Sequence, residues 1–451
     1  MLFTLKWLAK IFNENEGELN DSIPIHEVTT DSRKKVNNGL FIPLVGERFD
    51  GHDYILDAFN NGAIAALWKR DRTRPEALPN DFPIYYVSDT LDALQRLAAC
   101  YREKINPTVI AITGSNGKTT TKDMIGSVLT TSYRTHRTMG NFNNHIGLPL
   151  TILDMPPDTE ILVLEMGMND FGEISHLSHI AQPDIAVITN IGESHLAQLR
   201  SRAGIAKAKL EIVDGMSPDG YLYIDGDEPL LKNAHVHPNV ITCGFYANND
   251  VIIEDTKIED DKTLFRLSDG KTYSIPLLGK HHALNALFAV TIGTKMGVMP
   301  KTIQQALAKL EHTSMRFEIV QGKNGATIIN DAYNASPTSM KAAIDVVKQM
   351  RGYKKKVLVL GDMFELGESS ARLHQSVADV IDTRIDAVLT LGNDAKEISK
   401  AVQNKDKGIM CRHFDSEKAL IKTLHSCITS RTLLLFKASR GMHFENIIGC
   451  L

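Results

Sequence analysis

One short segment of the chain, residues 113–120, has the composition of a loop that wraps around a phosphate group. It reads Thr-Gly-Ser-Asn-Gly-Lys-Thr-Thr and lies between an apolar run at 109–112 and an amphipathic stretch at 121–130. A strand, a glycine-rich turn and a helix in this order bring backbone N–H groups and the positive end of a helix dipole to an anion. The segment therefore predicts an α/β domain with a parallel sheet that binds a nucleotide.

Two side chains of this loop carry the predicted chemistry. Lys118, which we expect to be exposed in an open site, can reach the terminal phosphates, and the Thr119 hydroxyl suits Mg²⁺. Ile112 stands where the general G-x-x-x-x-G-K-[ST] pattern has its first glycine, so the loop is a variant. The alternative is an ordinary glycine turn before a surface helix. The other nucleotide-binding candidates are Thr113, Gly114, Ser115, Asn116, Gly117 and Thr120.

Composition restricts the class of protein. The 451 residues are 43% hydrophobic and 23% charged, which is ordinary for a soluble globular enzyme of several domains. A net charge of −4 favours neither nucleic acid nor a membrane surface. Five cysteines without a C-x-x-C pair indicate reduced thiols in the cytoplasm. No apolar run reaches the roughly 18 residues of a membrane span, so we expect no membrane insertion.

The chain divides into three regions with different patterns, and the predicted fold class is α/β. The first, residues 1–105, has short apolar runs at 40–45, 64–68 and 84–87 and an amphipathic helix at 91–101. The second, residues 106–312, alternates buried strands and helices, with strands at 109–112, 161–164 and 184–189 and a closing helix at 279–298. We interpret it as a central ATPase domain of the P-loop type, built on a parallel sheet.

The third region, residues 313–451, has its own strands separated by helical stretches. The strands are predicted at 326–330, 356–360, 387–391 and 432–437. This alternation is typical of a second, Rossmann-like doubly wound unit.

Charged and polar residues follow several of these strands, where α/β folds bind ligands. Glu165 ends the strand at 161–164 and can hold Mg²⁺ opposite the phosphate loop, although a solvated strand-end acid is the plainer interpretation. His195 follows the strand at 184–189, and a single histidine is usually not a ligand. The loops 330–337 and 361–367 end two strands of the third region, and each can also be a plain turn.

Taken in order along the chain, these motifs resemble those of the Mur ligases, the ATP-dependent amide-forming enzymes of peptidoglycan synthesis. The matching positions are 30–33, 46–52, 113–120, 140–149, 165–167, 206–209, 285, 316, 333–337 and 361–367. The departures are small: Asn330 stands where many members have Asp, Leu199-Arg200 replaces Phe-Gly, and Ala438 replaces a glycine.

The resemblance implies a catalytic set and its cofactors. Lys118, Glu165, His195 and Lys209 would be catalytic, with ATP and two Mg²⁺ ions, and Thr119, Glu165 and His195 would serve the metal. Lys209 matches a lysine that is carbamylated in related ligases. Because Lys207 is two residues away on the same helix, only one of the two should point inward. Nucleotide contacts outside the loop would come from Asn285, at adenine, and from Arg316 and Asp331 of the third region.

The resemblance also implies the substrates, a UDP-N-acetylmuramoyl-tripeptide and D-alanyl-D-alanine. The segments 46–52, 143–149 and 361–367 favour this dipeptide over a single amino acid. The loops 331–337 and 362–367 would end adjacent strands and face the acyl phosphate. Candidates for the UDP-sugar substrate are Ser32, Arg33, Arg48, Asp50, Gly51, His52, Asn143 and Asn144. Candidates around the dipeptide are Asn334, Ser336, Asp362 and Met363.

Other functions remain open on this evidence. A sister ligase that adds one amino acid, a folate polyglutamylating enzyme and a non-catalytic nucleotide switch all use a similar loop. The third residue of the tripeptide, lysine or diaminopimelate, is also open. We expect a monomeric bacterial cytoplasmic enzyme whose domains close about a hinge near 311–316.

Overall fold

In the computed structural model the described residues, 1–19, 23–232, 237–259, 261–310, 314–405 and 408–451, form three α/β domains in sequence order. The predicted fold class is confirmed. The first sheet is followed by a helix that ends at Ile105, and the second sheet begins at Thr108. The predicted boundary at 312–313 and part of the predicted hinge lie outside the described residues.

The first domain has a mixed sheet with the strand order β2-β7-β6-β5-β4 and a small antiparallel pair β1-β3, counting described residues. Only β2 is antiparallel to its neighbour in the larger sheet. The strands are β1 Phe3–Thr4, β2 Asn15–Glu16, β3 Pro24–Ile25, β4 Glu27–Thr29, β5 Gly39–Phe41, β6 Ala63–Lys69 and β7 Ile84–Val87, and the helices are α1 Leu5–Ile11, α2 Ile55–Asn60 and α3 Thr90–Ile105.

The central domain contains a large sheet with the order β16-β15-β14-β13-β12-β11-β8-β10-β9. The strands are β8 Thr108–Thr113, β9 Thr135–Arg137, β10 Ile161–Glu165, β11 Ile185–Ile188, β12 Tyr221–Asp225, β13 Val240–Gly244, β14 Val251–Ile258, β15 Thr263–Leu267 and β16 Thr272–Ile275. The helices are α4 Lys118–Leu129, α5 Gly147–Leu153, α6 Glu173–Ala181, α7 Leu196–Leu199, α8 Arg202–Leu210, α9 Pro229–Lys232, α10 Lys280–Lys295 and α11 Pro300–Ala308.

Strand β8 lies inside this sheet and has a hydrophobic core on each face. Val109 and Ala111 belong to one buried cluster, whereas Ile110 and Ile112 belong to another on the opposite side. This explains why the strand is continuously apolar rather than alternating. Its neighbours β10 and β11 are both parallel to it. The chain therefore reverses its direction of winding at β8, and a crevice opens at the carboxyl ends of these strands.

The central sheet is parallel, as predicted, except at one edge. Strands β9 to β14 pair in parallel, but β14-β15 and β15-β16 are antiparallel. Strands β12 to β16 were not predicted, because four of them are short and the longest, β14, mixes apolar residues with several charges. A run such as Val251–Ile258 has half-exposed positions at both faces. Among the described residues, no helix has the length and apolar composition needed to cross a membrane.

The third domain has the strand order β17-β18-β22-β19-β20-β21, with only β17 antiparallel to its neighbour. The strands are β17 Glu318–Gln321, β18 Thr327–Asn330, β19 Lys355–Gly361, β20 Ala387–Leu391, β21 Met410–Phe414 and β22 Thr432–Lys437. The helices are α12 Pro337–Gln349, α13 Ser370–Gln375, α14 Lys396–Lys405, α15 Glu417–Cys427 and α16 Phe444–Gly449.

The order of this sheet corrects one expectation. The loops 331–337 and 362–367 follow β18 and β19, but these strands are not adjacent, because β22 lies between them. Strand β22, the last in sequence, thus separates β18 from β19, which were expected to be neighbours.

Candidate active site

A cavity of about 540 Å³ lies at the carboxyl ends of β8, β10 and β11, between the central and third domains. The phosphate loop and the start of α10 form its central-domain wall, and the loop after β18 forms part of the opposite wall. This is the crevice expected at the reversal point of the central sheet. Residues from three predicted sites, those for phosphate, adenine and the incoming donor, meet here.

The phosphate loop has a conformation that only glycine permits at two positions. Gly117 has a φ of 80° and ends the loop at the first turn of α4. Gly114 has a φ of 147°, and a Cβ there would lie 1.9 Å from the Thr189 hydroxyl oxygen. That hydroxyl donates a hydrogen bond of 2.6 Å to the Asn116 carbonyl oxygen. The end of β11 therefore holds the loop in place, and the two glycines allow the backbone of the loop to approach an anion closely.

Lys118 is half-buried rather than exposed, which corrects the expectation from sequence. Its Nζ donates a hydrogen bond of 2.8 Å to the carbonyl oxygen of Gly114, across the loop. Burial lowers the pKa of this ammonium, Glu165 opposes the effect, and Arg316 adds to it. The side chain is folded over the loop, where it can turn toward a bound phosphate.

Glu165 and Thr119 form the oxygen-rich part of the site. The Thr119 hydroxyl donates to Glu165 Oε2 at 2.7 Å, and Asn143 Nδ2 donates to Oε1 at 2.8 Å. Glu165 is only 3% exposed, so these partners compensate a buried carboxylate. Carboxylate and hydroxyl oxygens fit Mg²⁺. No group of three metal-ligating side chains occurs in the described parts of the chain, so water and phosphate would have to complete such a shell.

His195 lines the same cavity, and it has a partner that the sequence did not reveal. Its Nδ1 lies 2.5 Å from Oε2 of Glu365, which belongs to the third domain. This contact with His195 is the main reason that the pKa of Glu365 is lowered. The sequence contained one signal for this residue, namely its position in the segment 361–367.

Lys209 is almost completely buried, at 2% exposure, whereas Lys207 is exposed. The prediction that only one of them points inward is confirmed. Burial lowers the pKa of Lys209 well below its ordinary value, and the nearby charge of Lys118 lowers it further. This environment favours the neutral amine, which is the nucleophilic form, over the ammonium.

The far end of the cavity is built by α10 and by the end of β12. Asn285 is 4% exposed and packs on the phosphate loop, since a Cβ on Gly117 would lie 2.7 Å from its Oδ1. Asp225 also lines the cavity, and burial raises its pKa to about 7, with Asp227 and Glu228 as like-charged neighbours. Sequence reasoning missed Asp225 because it did not predict strand β12.

The third domain contributes Arg316 and Asp331 to the wall, as expected. The Arg316 guanidinium lies over the Tyr333 ring at 4.2 Å from its centre. Asp331 pairs with Lys437 at 2.6 Å, and Lys437 is 2% exposed. Lys437 also donates to the Asn334 carbonyl oxygen at 3.1 Å. It thereby fixes the loop after β18 against β22, a role that the sequence did not predict.

Comparisons with known proteins place the chain in a family. Three family models match it: "Mur ligase family, catalytic domain" at 24–102, "Mur ligase middle domain" at 112–293, and "Mur ligase, glutamate ligase domain" at 315–440. The chain belongs to the Mur ligase family.

Individual Mur ligases match over nearly the whole chain. The UDP-N-acetylmuramoyl-tripeptide–D-alanyl-D-alanine ligase of Bacillus subtilis is 48% identical over 426 residues, which cover 94% of this chain and 92% of that protein. A crystal structure of MurF from Acinetobacter baumannii superposes with a TM-score of 0.86 at 30% identity, covering 99% of this chain and 98% of that one. MurF from Thermotoga maritima, in complex with ADP, gives 0.81 at 30% identity, covering 94% and 96%.

Among the donor-site candidates of this Mur ligase, Asn334 lines the cavity, and Ser336 lies beside it. The Ser336 hydroxyl caps α12 and lies 3.2 Å from Asn116 Oδ1 of the phosphate loop. It therefore joins the third domain to the nucleotide site.

Asp362 and Met363 do not face the cavity, so the prediction that they contact the dipeptide was wrong. The Asp362 carboxylate accepts three backbone N–H bonds of 2.7 to 2.9 Å, from residues 393–395. Met363 is 1% exposed in the domain core, and its N–H donates to His374 Nε2 at 3.0 Å. Both residues shape the segment that carries Glu365.

The first-domain candidates for the UDP-sugar substrate lie outside the cavity lining. Ser32, Arg33, Arg48, Asp50 and Gly51, all in the described part of the chain, do not line the cavity. His52 is buried, and both ring nitrogens have partners in its own domain, Asp50 at 2.6 Å and the Lys69 N–H at 3.3 Å. We therefore assign His52 to positioning its loop rather than to touching substrate. In the central domain, Asn143 and Asn144 do line the cavity.

Proposed function

We propose that this Mur ligase joins D-alanyl-D-alanine to UDP-N-acetylmuramoyl-tripeptide at the expense of ATP, giving the pentapeptide precursor of peptidoglycan, ADP and phosphate. The observation that carries the proposal is the 48% identity, over 94% of the chain, with the Bacillus subtilis ligase of that name. The cavity supports it, because the phosphate loop and the third-domain loop line opposite walls of one space.

The first chemical step activates the tripeptide carboxylate. One carboxylate oxygen attacks the γ-phosphorus of ATP, the bond from that phosphorus to the bridging oxygen breaks, and ADP leaves an acyl phosphate. This step gathers negative charge in one place. The backbone N–H groups of residues 117–118, at the start of α4, and the Lys118 ammonium are the chain's own means of stabilising it, because they are fixed before the reaction.

Metal would add to this charge stabilisation. We assign Thr119 and Glu165 to hold one Mg²⁺ and His195 to serve a second, and bound Mg²⁺ would neutralise phosphate oxygens. Thr119 and Glu165 suit a hard cation because their oxygens already converge at 2.7 Å.

We further propose that Lys209 is carbamylated. The neutral amine favoured by burial attacks CO₂, an N–C bond forms and a proton is released. The product is an anion whose charge attracts the Lys118 ammonium, whereas an ammonium at position 209 would be repelled by it. Carbamylation thereby supplies a carboxylate near the phosphate site.

In the second step the dipeptide amine attacks the acyl carbon and phosphate leaves. Asn334 and Ser336 are the residues proposed to receive the dipeptide, because Asn334 lines the cavity and Ser336 adjoins it. A dipeptide carries an amide and a carboxylate beyond its amine, and a single amino acid would leave their buried partners unpaired.

A donor comparison tests the proposal. With ATP and UDP-N-acetylmuramoyl-tripeptide, D-alanyl-D-alanine should give a kcat/KM at least ~10²-fold above that of D-alanine. Faster turnover with lysine or diaminopimelate and a shorter UDP precursor would make the chain a sister ligase. ATP binding without any ligation would make it a nucleotide switch.

A pair of variants tests the donor site itself. Asn334→Ala should raise the KM for the dipeptide more than the KM for ATP. Asn404→Ala removes the same side chain from an exposed position on α14 and should change neither. Equal changes in both KM values for Asn334→Ala would remove Asn334 from the donor site.

A further inference from the structure

The segment 193–197 of the central domain contacts the third domain at two places, the loop that contains Glu365 and the start of α12. On one side, the His195 ring meets the Glu365 carboxylate at 2.5 Å. The Ala197 N–H donates to the Glu365 carbonyl oxygen at 3.0 Å. One residue of the third domain thus makes two polar contacts, by side chain and by backbone, with the turn that carries the active-site histidine.

The backbone at both partners is unusual. His195 has a φ of 61° and Glu365 a φ of 64°, and neither is a glycine. Left-handed conformations are unfavourable for residues with a Cβ, so they persist where surrounding contacts hold them. Two such residues facing each other across a domain boundary indicate that the turns are shaped for this contact.

In a second contact between the two domains, the central domain supplies the acid and the third domain supplies the donors. The carboxylate of Glu193, in the central domain, accepts from the Thr338 hydroxyl at 2.7 Å and from its N–H at 3.3 Å, at the start of α12. Between the two acids, Leu196 packs against hydrophobic clusters of both domains. Three side chains therefore join the segment 193–197 to the third domain. They are the acids Glu365 and Glu193, one from each domain, and the apolar Leu196.

We propose that Glu365 is a positioning residue that fixes the His195 ring when the third domain closes on the central domain, so that closure and histidine alignment are one event. A carboxylate on one ring nitrogen sets the tautomer and the direction of the other nitrogen. Because the carboxylate comes from the other domain, that orientation exists only in the closed enzyme. The proposal rests on the role of His195 in the proposed function, and it explains why the segment 361–367 matters although Asp362 and Met363 do not reach the cavity.

Hydrogen exchange of the segment 193–200 tests the proposal directly. In the wild-type enzyme, Mg²⁺ with β,γ-methylene-ATP and UDP-N-acetylmuramoyl-tripeptide should slow exchange there, because the Ala197 N–H becomes bonded. Glu365→Gln keeps the size of the side chain and its backbone carbonyl, and it should reduce that ligand-induced protection by about 3- to 30-fold. Glu368→Gln is the matched control, since it removes the same charge from an exposed position on the same loop and should leave protection unchanged.

Two further measurements separate positioning from a general loss of structure. Glu365→Gln should melt at the wild-type temperature and lower kcat more than it raises the KM for ATP. The double variant His195→Asn, Glu365→Gln should lose no more protection than either single variant, because both remove the same contact. If Glu365→Gln has a lower melting temperature, the non-additivity of the double variant still decides the question.

Wild-type protection in Glu365→Gln, or additive losses in the double variant, would overturn the proposal. Such results would leave the ligase function intact, because the donor comparison measures that function separately in the wild-type enzyme. Conversely, a wild-type enzyme that closes but ligates no dipeptide would contradict the function and not the contact.

Discussion

The half-buried carboxyl of Asp225 should make the stability of the enzyme depend on pH in a direction opposite to that of most acids. Asp225 ends β12 at the wall of the cavity, and burial raises its pKa from 3.8 to about 7. Between these values the folded protein holds a proton that the unfolded chain has released. The contribution of that proton to the free energy of unfolding is present at low pH and is lost as pH rises. The loss is complete above about pH 7.

The size of the penalty follows from the two pKa values. A shift from 3.8 to about 7, at about 1.4 kcal/mol for each pKa unit, gives at most about 4 kcal/mol at pH 8. At pH 4.5, close to the unfolded pKa, the same relation gives only about 1 kcal/mol. Asp225→Asn removes the titrating proton but keeps an oxygen that can accept from the Asp227 N–H, which lies 3.0 Å from Oδ1.

Calorimetry at two pH values measures this effect. Asp225→Asn should raise the melting temperature by about 8–16 °C at pH 8 and by about 2–4 °C at pH 4.5. Asp219→Asn, at an exposed position before β12, is the matched control and should shift neither value. An Asp225→Asn gain that is equal at both pH values, or larger at pH 4.5, would refute the assignment of a raised pKa.

Three further predictions concern the reaction. Lys118→Ala should reduce ligation by about 10²–10³-fold or more with an unchanged melting profile, because the charge on the transferring phosphate is left uncompensated; near-normal turnover would exclude this role. Lys209→Ala should lose activity and regain part of it with short carboxylic acids, which replace the carbamate, whereas Lys207→Ala should need no rescue. A high-resolution map of the substrate- and metal-bound enzyme with a bare Lys209 amine would contradict carbamylation. Small-angle scattering should show a smaller radius of gyration when an ATP analogue and the UDP-substrate are bound together, and an unchanged radius in all ligand states would argue against closure.

The sequence predicted the parts of the fold whose signals are local. Strand β8, its glycine loop and α4 follow from a short apolar run, two glycines and an amphipathic stretch, and each lies within a few residues of its predicted position. Strand β7 at Ile84–Val87 was predicted without error. The strands β12 to β16 were missed because four of them span only four or five residues, too few to show a clear period, and β14 carries charges at several positions.

The sequence predicted the site less completely, for a different reason. A motif shows that a side chain matters but not which way it points. Asp362 lies in a family motif, yet its carboxylate is bound by three backbone N–H groups of its own domain. Glu365, three residues later, reaches His195 in another domain. The pairing of Asp331 with Lys437 likewise depends on β22 lying next to β18, which no local pattern reveals.

The position of β22 has a consequence for how the protein is made. In the third domain, β18 with β17, and β19 with β20 and β21, are two halves of a sheet that are joined only through β22. On the ribosome, the nucleotide-binding domain can therefore mature early, whereas the third domain stays divided until residues 432–437 have emerged. We expect a chain truncated shortly before β22 to lose ligation altogether rather than to be a weakened ligase, because the third-domain wall of the cavity depends on the completed sheet.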